Sequence, residues 1–272
     1  MNKECKLVVL DLDGTLTNSE KILPQANYDA LMRLQQKGVQ IALASGRPSY
    51  GIRHLATQLH LAQYNGFVMA YNGALITSCA TNEVLSATVL SKKLLPSLCQ
   101  TAQELNVAII TYDDANDTIL SEVSGNKWIE HEAWLNNQMK LKIVNNLNDV
   151  APSKLPKCLM VGEPDYMATI EPIVRQKFQQ LDVYRSSPFF LEIVPKGVDK
   201  AKSIETLRQK LNISVEQIAA FGDGYNDISM VKYAGIGVAM ANGCDEIKKV
   251  ANFVSVSNDD CGVAYAIEKL GL

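Results

Sequence analysis

Long apolar runs are missing from these 272 residues. No stretch approaches the ~20 apolar residues that a membrane-spanning helix needs. The N-terminal segment carries Lys3 and Lys6, but only the short run Leu7–Leu10 follows before Asp11, too little for the apolar region of a secretory signal. Histidine is scarce: His54, His60 and His131 are scattered, and none stands at the spacing of a Cys/His zinc site. The six cysteines, Cys5, Cys79, Cys99, Cys158, Cys244 and Cys261, contain no C-x-x-C pair. They read as small core residues of a reducing compartment. A basic excess is absent too. The formal net charge is −3 and no Lys/Arg run occurs, so nucleic acid is not an expected partner. These absences predict a soluble cytoplasmic protein with no membrane partner.

What is present is enough for a sizeable core. Hydrophobic residues make up 47% of the chain, and its length suits one large or two ordinary domains at about 150 residues each. The first apolar run, Leu7-Val8-Val9-Leu10, reads as a strand buried on both faces. It ends abruptly in Asp11-Leu12-Asp13-Gly14-Thr15. A helix is predicted over 24–37 and a second strand over 39–44, ending at Ser45-Gly46-Arg47-Pro48. A further helix covers 49–60 and a third strand 67–70. This alternation belongs to a parallel sheet. Asn72-Gly73 is either a hairpin turn or a loop facing a site. From 83 to 188 the pattern changes to a mixed α+β segment with locally antiparallel strands, including a polar stretch at 112–118. At Leu191–Val194 the chain reads as returning to α/β alternation, with a helix over 199–211 and a strand at 218–221 that ends in Gly222-Asp223-Gly224-Tyr225-Asn226-Asp227.

Three of these strands end in chemistry. If they lie side by side and parallel, Asp11, Asp13, Ser45, Gly46, Asp223, Asn226 and Asp227 meet at one sheet edge, where open α/β sheets bind ligands. Crowded carboxylates repel, and a hard divalent cation such as Mg2+, which binds through carboxylates, water and phosphate oxygens, resolves the conflict. Ser45-Gly46 ahead of a helix suits phosphate oxygens, or serves as an ordinary N-cap. Lys200, at a helix start, either joins them or lies on a solvated face.

Asp11-Leu12-Asp13-Gly14-Thr15-Leu16 resembles the first motif of the haloacid dehalogenase superfamily of phosphohydrolases. Ser45-Gly46-Arg47-Pro48 is similar to the second, Gly197-Val198-Asp199-Lys200 to the third, and Gly222–Asp227 to the fourth. The long insert, Asn72-Gly73-Ala74 and Gly235–Met240 resemble the Cof-type sugar-phosphatase branch. Ala241 before Asn242 departs from it, since that branch usually has glycine there.

The resemblance implies an α/β fold: a doubly wound, Rossmann-like parallel-sheet core, residues 1–82 plus 189–272, with an inserted α+β cap domain at 83–188. It implies a phosphomonoesterase in which Asp11 is the nucleophile that forms an aspartyl-phosphate and Asp13 the general acid and base. Mg2+ would be held by Asp11, Asp13 through its backbone carbonyl, and Asp223. Asp227 would bind it through water or orient a neighbour. Ser45, Gly46, Lys200 and Asn226 would bind the phosphoryl oxygens of a small phosphorylated metabolite. In the cap, Trp128, Trp134, Tyr112, Asp113 and Asp114 are candidate contacts, with cap core and loop surface as the alternative. A phosphomutase of the phosphomannomutase type, a phospho-aspartate signalling module and an inactive binding protein are the competing readings. Neither the metabolite nor the oligomeric state is legible in the sequence.

Overall fold

The computed structural model describes residues 4–272. Lys3 and the first residues of the expected core therefore lie outside the described residues. The chain begins with β1 (Leu7–Leu10), α1 (Gln25–Gln36), β2 (Gln40–Ala44), α2 (Ser49–Gln58), β3 (Phe67–Ala70), β4 (Leu75–Ser78) and β5 (Val84–Ala87). The middle carries β6 (Leu90–Ser91), α3 (Leu95–Glu104), β7 (Ala108–Asp113), β8 (Thr118–Ser121), α4 (Lys127–Leu135) and β9 (Lys140–Ile143). It continues with α5 (Leu147–Val150), β10 (Lys154–Leu155), β11 (Cys158–Val161), α6 (Pro164–Lys177), β12 (Leu181–Ser187) and β13 (Phe190–Pro195). The remainder is α7 (Lys200–Leu211), β14 (Ile218–Gly222), α8 (Ile228–Tyr233), β15 (Ile236–Ala239), α9 (Asp245–Val250), β16 (Phe253–Val254) and α10 (Gly262–Leu270). Among the described residues no helix is long and apolar enough to cross a membrane.

The chain divides into two compact units. One comprises the residues up to Gly46, Ile52–Ser86 and Asp199–Leu272, the other Arg47–Gly51 and Ala87–Val198. In the first unit an eight-stranded sheet runs β16-β15-β14-β1-β2-β3-β4-β5. From β16 to β3 the neighbours are parallel, and β3 with β4 forms an antiparallel hairpin. β1 is wholly buried because it is paired on both edges, Leu10 lying opposite Phe221 on one side and Leu43 on the other. That is why it tolerates no polar residue until it ends. The chain leaves β1 toward β2 and β3 in one direction and builds β14, β15 and β16 in the other. The crevice between β1 and β14 is therefore a topological switch point.

Two helices illustrate how this unit closes. In α1, Asn27, Ala30, Leu31 and Leu34 are buried at the i, i+3, i+4, i+7 spacing of one helix face. In α7 the same spacing buries Lys200, Ser203, Ile204 and Leu207. The helix is opened by Asp199, whose side chain accepts from the Lys202 N–H, a standard N-cap. Lys200 thus sits on the apolar stripe, and the solvated-face reading of it is excluded.

The second unit has a six-stranded sheet, β12-β13-β11-β7-β8-β9, and a two-stranded one, β10-β6. Its ladders are antiparallel except β8 with β9. Alternate residues Ile109, Cys158, Met160, Leu191 and Ile193 join Leu98 of α3 and Met167, Ile170 and Val174 of α6 in one core. Two expectations are corrected here. Leu191–Val194, read as the return to the parallel core, lies within β13 and pairs with β12 and β11 instead, because its hairpin with β12 is local while its apolar alternation suits either sheet. The polar stretch 112–118 is not a single loop: β7 runs on to Asp113, and Thr118 begins β8, whose polar Thr118 and Ser121 are buried like its apolar residues.

Candidate active site

The strand ends bring the sequence-marked carboxylates together. Asp11 continues the β1 ladder, its N–H donating to the Phe221 carbonyl at 3.0 Å, and its carboxylate is buried. The Lys200 ammonium, 1% exposed, donates to Asp11 Oδ1 at 2.7 Å and to Asp227 Oδ1 at 2.6 Å. Asp227 Oδ2 accepts from the backbone N–H groups of Asp223 (3.2 Å) and Gly224 (3.0 Å). Both oxygens of Asp227 are thus engaged in holding Lys200 and the turn after β14. Asp223 accepts from the Thr15 hydroxyl at Oδ1, 2.7 Å. Gly14 has φ +85, and a Cβ there would fall on the Asp223 carboxylate. Glycine is the residue that combines a left-handed turn with this close approach.

One carboxylate oxygen from each of Asp11, Asp223 and Asp227 lies within 4.8 Å of the others. Burial raises the Asp11 carboxyl well above its ordinary range; the Asp227 charge adds to this and Lys200 opposes it. Asp223 is raised too, by burial first, with the Thr15 hydroxyl opposing and the Asp227 charge adding. For Lys200, burial works to lower the value, but Asp11 and Asp227 outweigh it and hold the ammonium above its ordinary value. One lysine thus stands among three acids and bonds two of them. The site has oxygen donors and surplus negative charge, the donor set of a hard divalent cation.

Asp13 sits in the turn after β1, less buried than Asp11, with the Lys21 ammonium 2.8 Å from its Oδ1. Ser45, buried at the end of β2, donates its N–H to the Met69 carbonyl at 3.0 Å and accepts the Asn72 N–H at 2.8 Å. Gly46 follows. Asn226 is exposed and donates to Asn72 Oδ1 at 3.0 Å. Asp11, Lys200, Asp223, Asp227, Ser45 and Asn226 are thereby tied, directly or through one neighbour, to another strand end. Three contributors carry no such marking. Thr15 and Asn72 lie inside motifs but had no role assigned. Asn242, beside the unusual Ala241, donates to the Gly14 carbonyl at 2.8 Å and accepts the Asn258 N–H at 3.0 Å. Their signal was position alone, directly after a strand or within a turn.

In the second unit, Tyr112 is fully buried and donates to Glu132 Oε1 at 2.6 Å, which also accepts from Asn136 at 2.9 Å. Lys157 donates to Glu192 at 3.0 Å, both buried, and lies 5.2 Å from the centre of the Tyr112 ring. Trp128 stacks on Phe189 at 4.2 Å, and Trp134, 64% exposed, stacks on His131 at 5.8 Å. Tyr112 is therefore core, Trp128 half-buried packing and Trp134 surface. Asp113 and Asp114 lie at the turn between β7 and β8.

The sequence model of the haloacid dehalogenase-like hydrolases matches residues 8–267. The chain belongs to that family. A haloacid dehalogenase-like hydrolase of Bacteroides thetaiotaomicron, known from its crystal structure, is 40% identical, superposes with a TM-score of 0.94, and the match covers 98% of this chain and 100% of that one. Bacillus subtilis YxeH, which bears the name "Putative phosphatase", is 34% identical over 98% of both chains. The 5-amino-6-(5-phospho-D-ribitylamino)uracil phosphatase YcsE of the same organism is 28% identical over 97% of this chain and 95% of its own. This haloacid dehalogenase-like hydrolase is accordingly a phosphomonoesterase of α/β architecture, with a parallel-sheet core and an inserted cap, and its substrates are small phosphorylated molecules.

Proposed function

We propose that the chain is a Mg2+-dependent phosphohydrolase of the cytoplasm that cleaves small phosphorylated metabolites, sugar phosphates in the first place, through an aspartyl-phosphate. The observation that carries this reading is the placement of Asp11. It is buried at the switch point, held by Lys200 at 2.7 Å and accompanied by Asp223. An attacking carboxylate must be both oriented and ionised, and a lysine on one oxygen leaves the other for phosphorus.

Asp11, Asp223 and the Asp13 carbonyl would hold Mg2+, which when bound supplies positive charge for the phosphoryl oxygens and for the crowded acids. Asp227, with both oxygens taken by Lys200 and the backbone N–H groups of Asp223 and Gly224, acts by holding Lys200 in place. Asp11 attacks phosphorus and the ester P–O bond breaks. Asp13 gives its proton to the departing alcohol oxygen. It then takes a proton from the water that attacks the phosphoryl group on Asp11; the Asp11 oxygen–phosphorus bond breaks, inorganic phosphate leaves, Asp11 is again a carboxylate and Asp13 is again protonated. Ser45, Gly46, Lys200 and Asn226 bind the phosphoryl oxygens, where charge accumulates in the transition state. The sugar-phosphate class is supported by YcsE, whose name specifies a phosphorylated ribityl chain. The cytoplasmic assignment is supported by the six unpaired cysteines.

A panel of phosphorylated metabolites assayed for free phosphate with Mg2+ and with EDTA tests the reading. Turnover should need the metal, favour sugar or polyol phosphates and vanish in Asp11→Asn. Activity retained by Asp11→Asn refutes the covalent mechanism. Isomer formation without phosphate release makes the chain a mutase, and a single phosphorylation without turnover makes it a signalling module.

A further inference from the structure

The loop between β3 and β4 is bent in a way that packing alone does not require. Tyr71, Asn72 and Gly73 have φ of 53, 56 and 90, three consecutive left-handed residues. Such a conformation is uncommon for a non-glycine residue and a genuine outlier for a bulky aromatic one. Strain of this kind persists where the surroundings over-determine it, and it concentrates at functional sites. Here the surroundings do so from both sides. The Asn72 N–H donates to the Ser45 carbonyl at 2.8 Å, and the Gly73 carbonyl accepts from the Ser203 hydroxyl at 3.0 Å. A Cβ on Gly73 would fall on that hydroxyl, so the loop is pressed against the helix that carries Lys200. The effect of the bend is to aim one side chain. The Asn72 amide lies between the end of β2, where its Nδ2 is 3.3 Å from the position a Gly46 Cβ would take, and the turn after β14, where its Oδ1 accepts from Asn226 at 3.0 Å.

We infer that Asn72 is a positioning residue for phosphoryl binding, acting through Asn226. The inference rests on the reading of Ser45-Gly46 and Asn226 as the grip on the phosphoryl oxygens. An asparagine amide presents its NH2 or its carbonyl in a given direction with little intrinsic preference, and an exposed one samples both. With one Asn226 N–H donated to Asn72 Oδ1, the carbonyl is turned away, and the second N–H of the same planar group is held in direction for an anionic oxygen. A hydroxyl or aliphatic side chain at position 72 has no acceptor at that reach. The left-handed backbone explains why asparagine, which tolerates it better than other non-glycine residues, stands there.

The test uses the full-length enzyme, a generic phosphate ester and inorganic phosphate as competing product. Asn72→Gly keeps the left-handed backbone and removes the amide. It should lower kcat/KM by about tenfold and weaken inhibition by inorganic phosphate by a similar factor. It should add nothing further in an Asn226→Ala background. Asn72→Asp keeps an acceptor and the backbone preference but adds a negative charge, and should also weaken phosphate inhibition. If Asn72→Gly does not give the wild-type thermal unfolding profile, Asn72→Ser, whose hydroxyl does not reach Asn226, carries the measurement. Wild-type kcat/KM and phosphate inhibition in the folded variants would reduce Asn72 to a turn former. A full-size loss on top of Asn226→Ala would show that it does not act through Asn226. Failure of the wild type to release phosphate, or activity in Asp11→Asn, strikes the underlying reading instead.

Discussion

Lys200 Nζ stands 2.6 Å from Asp227 Oδ1, a buried ion pair that shares its lysine with Asp11. Two acids and one base leave the group negative, so the lysine is indispensable to both carboxylates at once. Asp227 in turn is braced by the backbone of the Gly222–Asp227 turn. The first, third and fourth motifs are therefore one electrostatic unit.

Removing that lysine while keeping its apolar stem should expose the debt. Lys200→Met is expected to lose about 3–5 kcal/mol of stability, because two buried carboxylates are left without their cation. Turnover should fall at least a hundredfold even under conditions where the variant is fully folded. Urea unfolding alongside steady-state rates measures both. A variant as stable as wild type would mean that the acids are neutral in the folded protein.

The Thr15 hydroxyl, 2.7 Å from Asp223 Oδ1, has no place in the proposed chemistry except to hold that carboxylate. Thr15→Val preserves shape and removes the donor. It should raise the Mg2+ concentration for half-maximal activity by about 10–100-fold, the usual cost of losing a partner that orients a metal ligand. Thr15→Ser should restore it. A magnesium titration of the three proteins decides, and an unchanged midpoint in Thr15→Val dismisses the role.

A pH dependence is expected from the second unit. Burial tends to lower the Lys157 value, but Glu192 and then Glu132 outweigh it and hold the folded-state value above the ordinary 10.5. Above about pH 10.5 the unfolded chain gives up this proton while the folded one still keeps it. The folded state then binds more protons, so stability falls as pH rises toward the folded value, and the contribution is fully present below pH 10.5. Unfolding midpoints from pH 9 upward should drop more steeply for wild type than for Lys157→Met. Parallel profiles in the two proteins would show that the lysine is not the group responsible.

The local order of the chain was legible because it rests on short-range rules. Apolar runs broken by carboxylates gave the ends of β1 and β14, and the periodicity of Ala30, Leu31 and Leu34 gave α1. Leu191–Val194 was misplaced for a reason of the same kind: alternation marks a strand but not its partner, and the place in the sheet is chosen by the hairpin with β12 and the packing of Leu191 and Ile193 with the residues of α6. The buried set Glu132, Lys157 and Glu192 escaped notice because charged residues read as surface until the fold encloses them.

The sequence by itself determined which chemical groups the protein owns and which strand or helix end each occupies, since chain connectivity and side-chain period settle both. Only the tertiary structure decided their company. It put Lys200 between Asp11 and Asp227, turned Thr15 onto Asp223, and bent Tyr71–Gly73 so that Asn72 meets Asn226. Those choices depend on strand order and on desolvation, two properties that arise when distant segments share one interior and that no local stretch of residues contains.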